Sequence, residues 1–229
     1  MPSYALLDAQ IDTWYAEANG NFSESPDRAA DLRDDFGLTE GTEAVGAAIA
    51  FGLHHQAYAD SLSISLDGSA SPSDSYGLSS FNPSPGSYLK SELNISSFSA
   101  GYRFEAGSDI LRMGFMAGLQ QFEIDLELNP GGGPAWRRDS NAILPTLGIF
   151  ASGHPLPFAN FKAAASIGEY DFDGDKSSSF KLELQLLMEI PPGFYLGFGY
   201  RHLELVHEKN DFNIDATLQG PVAFLGFRL

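Results

Sequence analysis

Along residues 180–190 the chain alternates with a period of two. Phe180, Leu182, Leu184, Leu186, Met188 and Ile190 are apolar, and Lys181, Glu183, Gln185, Leu187 and Glu189 stand between them. Positions two apart lie about 200° apart on a helix and would scatter around it, whereas on a strand they line one face. Pro191-Pro192-Gly193 then supplies two fixed φ angles and one residue free to take φ > 0, after which Phe194, Leu196, Phe198 and Tyr200 resume the alternation. The stretch predicts a β-hairpin. The same period recurs at Leu7–Thr13, Val45–Leu53, Leu62–Leu66, Leu93–Phe104, Leu111–Leu126, Ile143–Ala151 and Phe161–Ile167, and in a last strand that runs to Phe227 and Leu229. In two of these runs the apolar parity flips, near Ser96-Ser97 and at Gln120-Gln121, which a β-bulge would produce.

The pattern predicts an all-β protein with about ten strands, eight being the smaller alternative. Several strands are long enough to cross the roughly 25 Å apolar band of an outer-membrane barrel at about 45° tilt. The links alternate in length. Residues 18–42, 67–88 and "NPGGGPAWRRDS" are long, and "DFDGDKSSS" is intermediate. "HHQA", "EAGSD", "GHPLPFAN" and "PPG" are short, and so is the last, odd-numbered link near "EKND". All the even-numbered links fall at one end of an up-and-down sheet, matching short periplasmic turns opposite longer extracellular loops.

Alternation alone fits both a soluble barrel around an apolar core and an inside-out barrel in lipid, so side-chain type has to decide. The face opposite the apolar one carries small residues (Gly46, Ala48, Ala50, Gly52, Ser61, Ser63, Ser65, Gly114, Gly118, Gly197, Gly199). It also carries charges of both signs: Asp8, Asp12, Arg103, Arg112, Glu123, Asp125, Lys162, Lys181, Glu183, Glu189 and Arg201. A narrow lumen needs small residues to admit a few long charged ones that pair across it. Aromatic pairs near strand ends (Trp14 and Tyr15, Tyr102 and Phe104, Phe158 and Phe161, Phe194 and Tyr195) fit interfacial girdles. The fold expected is a single closed antiparallel transmembrane β-barrel over residues 1–229, lipid outside and a polar lumen inside.

Composition narrows the classes. With no cysteine among 229 residues, disulfides, thiolate metal sites and thiol nucleophiles are excluded. A formal net charge of −17 argues against a nucleic-acid partner. No apolar run approaches the length of a transmembrane helix, and MPSYALLDAQ lacks the layout of a signal peptide.

At this point the chain resembles bacterial outer-membrane β-barrel proteins, particularly the small OmpW-like barrels. The closing "LQGPVAFLGFRL" is similar to an outer-membrane assembly signal, although it ends in Leu229 where such signals end in Phe. "GHPLPFANFKAAASIGEY" resembles a proline-rich periplasmic turn with its following strand, and "DLRDDFGL" resembles a segment of the first long loop in that group. The resemblance implies residence in the outer membrane. It implies lipid, lipopolysaccharide and the barrel-assembly machinery as partners, and a monomer without a cofactor. The resemblance carries no activity; it is the lumen charges that point to a structural or porin-like barrel, with a lumen either plugged by charge pairs or left as a thin polar path. Asp8, Asp12, Glu123 and Asp125 would make such a path cation-favouring.

The competing readings are surface recognition through residues 18–42 and 67–88, an outer-membrane enzyme, and a soluble lipocalin-like carrier. Ten strands is also the count of the omptin outer-membrane proteases, which use acidic pairs and a His–Asp couple at the extracellular rim. Asp34, Asp35, His207 and Asp211 would be the counterparts here, and adjacent carboxylates are more often solvated loop residues. A Ser–His–acid hydrolase would draw on His202, Glu204 and His207, yet the two histidines have opposite parity. Asp171, Asp173 and Asp175 are the metal candidates; the glycine position breaks the EF-hand pattern, leaving a solvated hairpin tip as the expectation. His54-His55 reads as a polar turn. Arg137 and Arg138 read as a basic pair that is either merely exposed or in contact with lipopolysaccharide. No catalytic activity is expected.

Overall fold

A computed structural model describes residues 6–24, 29–38, 42–71, 81, 86–108, 110–156, 159–172, 174–190, 193–209 and 212–229. Its strands are β1 (Leu7–Ser23), β2 (Ala30–Asp31), β3 (Thr42–Gly52), β4 (His55–Ala70), β5 (Leu89–Gly107), β6 (Leu111–Pro130), β7 (Trp136–Leu156), β8 (Ala159–Phe172), β9 (Asp175–Ile190), β10 (Phe194–Lys209) and β11 (Phe212–Arg228). Ten of them run up and down, each antiparallel to its chain neighbours. β1 pairs with β11 from Asp8↔Arg228 to Ser23↔Asn213 and closes the barrel. The eleventh, β2, is a two-residue graft on the end of β1 through Asn21↔Asp31 and Phe22↔Ala30. Closure pairs each of these ten strands on both sides, the condition for crossing lipid with strands.

At the loop end the first two links, 24–41 (which holds β2) and 71–88, are long. Links 173–174 and 210–211 at that end are as short as the turns 53–54, 108–110, 157–158 and 191–193 at the other. The "NPGGGPAWRRDS" and "DFDGDKSSS" links shrink to 131–135 and 173–174, because β6 through β9 continue into them. The short-turn end, where β1 begins and β11 finishes, is the periplasmic one by the rule for such barrels.

The parity flips have another cause than the one expected. β5 and β6 stay in unbroken register from Leu89↔Pro130 to Gly107↔Arg112, and β6 with β7 from Leu111↔Gly153 to Leu128↔Trp136. No bulge occurs at Ser96-Ser97 or Gln120-Gln121. Even-numbered β6 residues point inward throughout. The face that is apolar changes at one height, where the wall leaves the membrane. Below it, Leu111, Met113, Phe115 and Leu119 are exposed on the outside while Arg112 and Gln120 are buried inside. Above it, Phe122, Ile124, Leu126 and Leu128 are buried inside, with Gln121, Glu123, Asp125 and Glu127 outside. Residues 111–119 match the roughly 9–11 residues that a tilted strand needs to span the bilayer.

The chain is therefore two barrels stacked on one set of strands. The periplasmic half is inside-out, and the loop-side half is built like a soluble protein. Leu62, Ile64, Leu66, Leu93 and Ile95 belong to the core of the upper half, and Ser61, Ser63 and Ser65 to its outer surface. Trp14 and Tyr195, placed by the sequence reading among interfacial girdles, are fully buried inside. Tyr15, Tyr102, Phe104 and Phe194 are exposed on the outer wall as expected. Phe158 lies outside the described residues.

The first loop is part of the core. β3 meets β4 only as far as Val45↔Ser63, whereas β4 continues to Ala70, so the upper wall is one strand short between β1 and β4. Residues 30–38 fill that place. Asp31 Oδ1 accepts from the Arg33 and Asp34 N–H groups (2.8 and 2.7 Å), and Asp35 Oδ2 accepts from the Asp31 N–H (2.8 Å). These bonds hold one tight turn that drives Leu32, Phe36 and Leu38 into the interior at 0% exposure. Phe22 receives them, with ring centroids 6.4 Å from Phe36, 5.8 Å from Trp136 and 5.3 Å from Phe212. Gly37 sits at φ 69°, and a Cβ there would fall 2.3 Å from the Ser69 carbonyl oxygen, so only glycine lets the turn close on β4. Gly37→Ala should destabilise the barrel by about 1–3 kcal/mol. Urea titration of the folded fraction measures this.

Candidate functional site

The inside-out half encloses a polar cavity of ≈ 200 Å³. Small inward residues make the space: Ala48 and Ala50 on β3, and Ala164 and Ser166 on β8. Charged side chains reach into it from most strands. Asp8, Asp12, Arg103, Arg112, Lys162, Lys181, Glu183 and Arg201, all expected in the lumen, line it. Asp60, Glu105 and Arg228 line it as well and were missed by the sequence reading.

The charges form three linked groups. At the periplasmic mouth Lys162 Nζ lies 2.7 Å from Asp8 Oδ2, and Arg228 Nε lies 3.3 Å from the same oxygen; the Tyr195 hydroxyl donates to Asp8 Oδ1 at 2.7 Å. Glu189 stands at the rim, 45% exposed, and joins Arg228 at 3.2 Å and His154 at 3.3 Å. Deeper in, Arg201 donates to both oxygens of Asp12 (2.8 and 3.2 Å) and to Glu183 (2.7 Å), while Lys181 pairs with Asp60 at 3.0 Å. Along β4–β6, Gln56 stands between Arg103 and Glu105, and Arg112 lies 3.7 Å from Glu105. Charges in a transmembrane lumen are tolerated when paired and hydrogen-bonded, which these contacts achieve.

Above this layer the character changes within one residue spacing. The Arg201 guanidinium lies 5.5 Å from the centre of the Trp14 ring, and Trp14 faces the buried cluster that includes Leu93, Phe122, Leu203, Leu218 and Phe22. Among the described residues the polar cavity is thus blind on its extracellular side.

Of the expected lumen charges, Glu189 stands at the rim outside the cavity lining, and two more lie elsewhere. Glu123 and Asp125 point outward from the upper half, opposite the buried Ile124, and Asp125 pairs with Arg137. They therefore do not line the lumen, where Asp8 and Asp12 remain. The cavity wall carries six cations against five carboxylates. Much of the −17 net charge sits on the outer surface of the protruding half, on residues such as Glu17, Asp67, Glu92, Glu169, Glu204 and Asp215.

The other candidates separate in the same way. Asp171 is exposed on the outer face of β8. Asp175 lies 3.9 Å from Lys209, and Asp173 is outside the described residues; no cluster of metal-ligating side chains occurs among those described. Arg138 pairs with the buried Glu24 at 2.9 Å, so the Arg137–Arg138 pair is engaged with carboxylates. Asp34 lies in the Asp31 turn and Asp35 caps it. Asp211 lies outside the described residues. His202 faces outward and contacts Glu204 at 2.8 Å, whereas His207 is buried inside between Ser140 (2.7 Å to Nε2) and Ser177 (2.6 Å to Nδ1). The serine–histidine contact was not foreseen, because Ser140 and Ser177 lie far from His207 in sequence.

Burial, reinforced by Lys209 and opposed by Asp175, holds the His207 pKa below the ordinary imidazole value. Unfolding therefore gains a proton at this site in mildly acid solution. The stability contributed by neutral His207 is present above about pH 6.5 and falls as pH drops below it. A His207→Gln variant should lose this slope in urea titrations between about pH 7 and pH 5.

No family model matches the chain, and no curated protein matches it by sequence. Solved structures do match in shape. The outer membrane protease OmpT from Escherichia coli superposes with a TM-score of 0.64 at 13% identity, covering 100% of this chain and 98% of that one. Ail, the attachment invasion locus protein of Yersinia pestis, gives 0.42 at 10% identity, with 95% and 98% covered. Neisserial surface protein A gives 0.41 at 12% identity, with 99% of each covered. At these identities the likeness concerns fold, and the fold is that of bacterial outer-membrane β-barrels.

Proposed function

We propose that this outer-membrane β-barrel is a plugged, porin-like structural barrel, a monomer that seals its own lumen and holds a soluble-type β-extension above the bilayer. The observation that carries the reading is the stack of buried apolar side chains over the charged layer, from Trp14 through Phe122 and Leu126 to the loop residues Leu32 and Phe36. Such a stack opposes the passage of water and ions, which would lose their hydration against it. The paired lumen charges act as cross-braces, and the belt of Leu111, Phe115, Ile149, Leu184 and Phe198 faces lipid.

A purely recognition-based role is less well supported, because residues 30–38, the middle of the expected binding loop 18–42, are committed to the core. An omptin-like protease would need free carboxylates, whereas Asp35 caps the Asp31 turn and His207 is enclosed by two serines. The outer surface above the membrane is acidic, so contact with lipopolysaccharide phosphates there would need bridging cations.

Planar-bilayer recording of the refolded protein tests the reading. Membranes containing it should show no steady conductance at moderate voltage. A stable ohmic channel would overturn the plug.

A further inference from the structure

The cavity has one cation too many for its wall, and that cation is identifiable. Arg112, Lys162, Lys181, Arg201 and Arg228 each have a carboxylate in ion-pair contact. Arg103 has none among the described residues. Its Nε donates to Gln56 Oε1 at 2.8 Å, Nη2 donates to the same oxygen, and its guanidinium lies 4.8 Å from the centre of the Phe150 ring. Gln56 in turn donates to Glu105 at 3.1 Å and to the Leu53 carbonyl at 2.7 Å, so it separates the two charges. One edge of the guanidinium is thus fixed by Gln56 and one face lies over Phe150, while the Nη1 donors have no protein acceptor among the described residues. The wall around it carries six cations and five carboxylates, in a chain whose net charge is −17. The sixth carboxylate, Glu189, stands outside the lining at the exposed rim with Arg228.

Arg103 is half-buried, and a cation left without a carboxylate partner in a transmembrane lumen carries an electrostatic cost that an anion would relieve. A planar fork with free donors suits an oxyanion better than a spherical ion. We propose that the cavity is a binding site for a small oxyanion, a carboxylate or phosphate admitted from the periplasmic mouth and held by Arg103. The ≈ 200 Å³ of space admits a small metabolite-sized group and excludes a polymer. The apolar plug makes the site an end-point for the ligand, with no exit on the far side.

The test is equilibrium titration of the refolded full chain in a non-ionic detergent with inorganic phosphate and, separately, acetate. Saturable binding of either anion, weakened about tenfold or more in Arg103→Gln, is expected. Whichever anion binds more tightly assigns the ligand to the phosphoryl or the carboxylate class. Absence of saturable binding to folded protein, or unchanged affinity in the variant, would overturn the site. Should Arg103→Gln fail to fold, modification of the unmutated protein by phenylglyoxal, mapped by mass spectrometry, gives the answer. Arg103 should react, and the preferred anion should protect it; modification indifferent to the anion overturns the proposal. The readout is binding, so a conducting channel would refute the plug and leave this site standing.

Discussion

Arg201→Met lowers the stability of the barrel by about 3–5 kcal/mol, because it leaves two carboxylates buried without a cation. Arg201 is 5% exposed at the side chain and Asp12 3%; its donors also reach Glu183, whose side chain is 16% exposed. Both acids lie deep in the lumen, where a carboxylate stripped of its cation is costly. Lys181, on the same strand as Glu183, is already committed to Asp60. The loss is read as a shift in the urea midpoint of the heat-modifiable folded form. The double variant Arg201→Met with Asp12→Leu should recover part of it, since removing both partners of a buried pair costs less than removing one. A midpoint unmoved by Arg201→Met would mean that the charged layer is hydrated and contributes little to holding the strands.

The second large effect belongs to the upper half. Phe122→Ala should cost about 3–5 kcal/mol, the range for emptying a packed core site. Phe115→Ala, seven residues earlier on the same strand, should cost clearly less, since lipid chains flow into the space where a protein core cannot. Glu123→Ala, on the outer surface, should stay within about 0.5 kcal/mol. The ordering discriminates sharply, because a strand that carried its apolar face to lipid throughout would give Phe122 and Phe115 similar costs. Urea titrations of the three variants, run side by side, decide it.

The architecture was largely legible in the chain. Period-two alternation gave the strands, the unequal links gave the up-and-down order and its two ends, and the small-plus-charged parity of the lower strands gave most of the lumen. The inversion at mid-height was not legible, because a bulge and a change of medium write the same parity flip. What separates them is registry. Leu62, Ser97, Phe122 and Ala142 lie side by side across β4–β7, so the flip falls at one level on neighbouring strands. A boundary between lipid and water must do that; separate bulges need not.

Missed site residues have their own reasons. Asp60 shares the parity of Leu62 and lay outside the alternating run, Glu105 was assigned to a turn, and Arg228 sat in a terminal strand read only for its apolar face. Glu123 and Asp125 were misplaced by the same flip. Arg103 was legible as a lumen charge; its lack of a carboxylate partner depends on Gln56 reaching it across a strand pair, which no one-dimensional pattern records.

The central claim is that one continuous set of strands is inside-out below and core-filled above. The chain has no cysteine, so single cysteines can be placed along β6 without background. Labelling by a membrane-impermeant maleimide in lipid vesicles, with the loop end facing outward, measures the claim directly. The account predicts protection at 113, 115, 117 and 119, reaction at 121, 123, 125 and 127, and protection at 122, 124 and 126. Reaction at the even positions with protection of 123 and 125 would contradict it, and would return the upper strands to lipid.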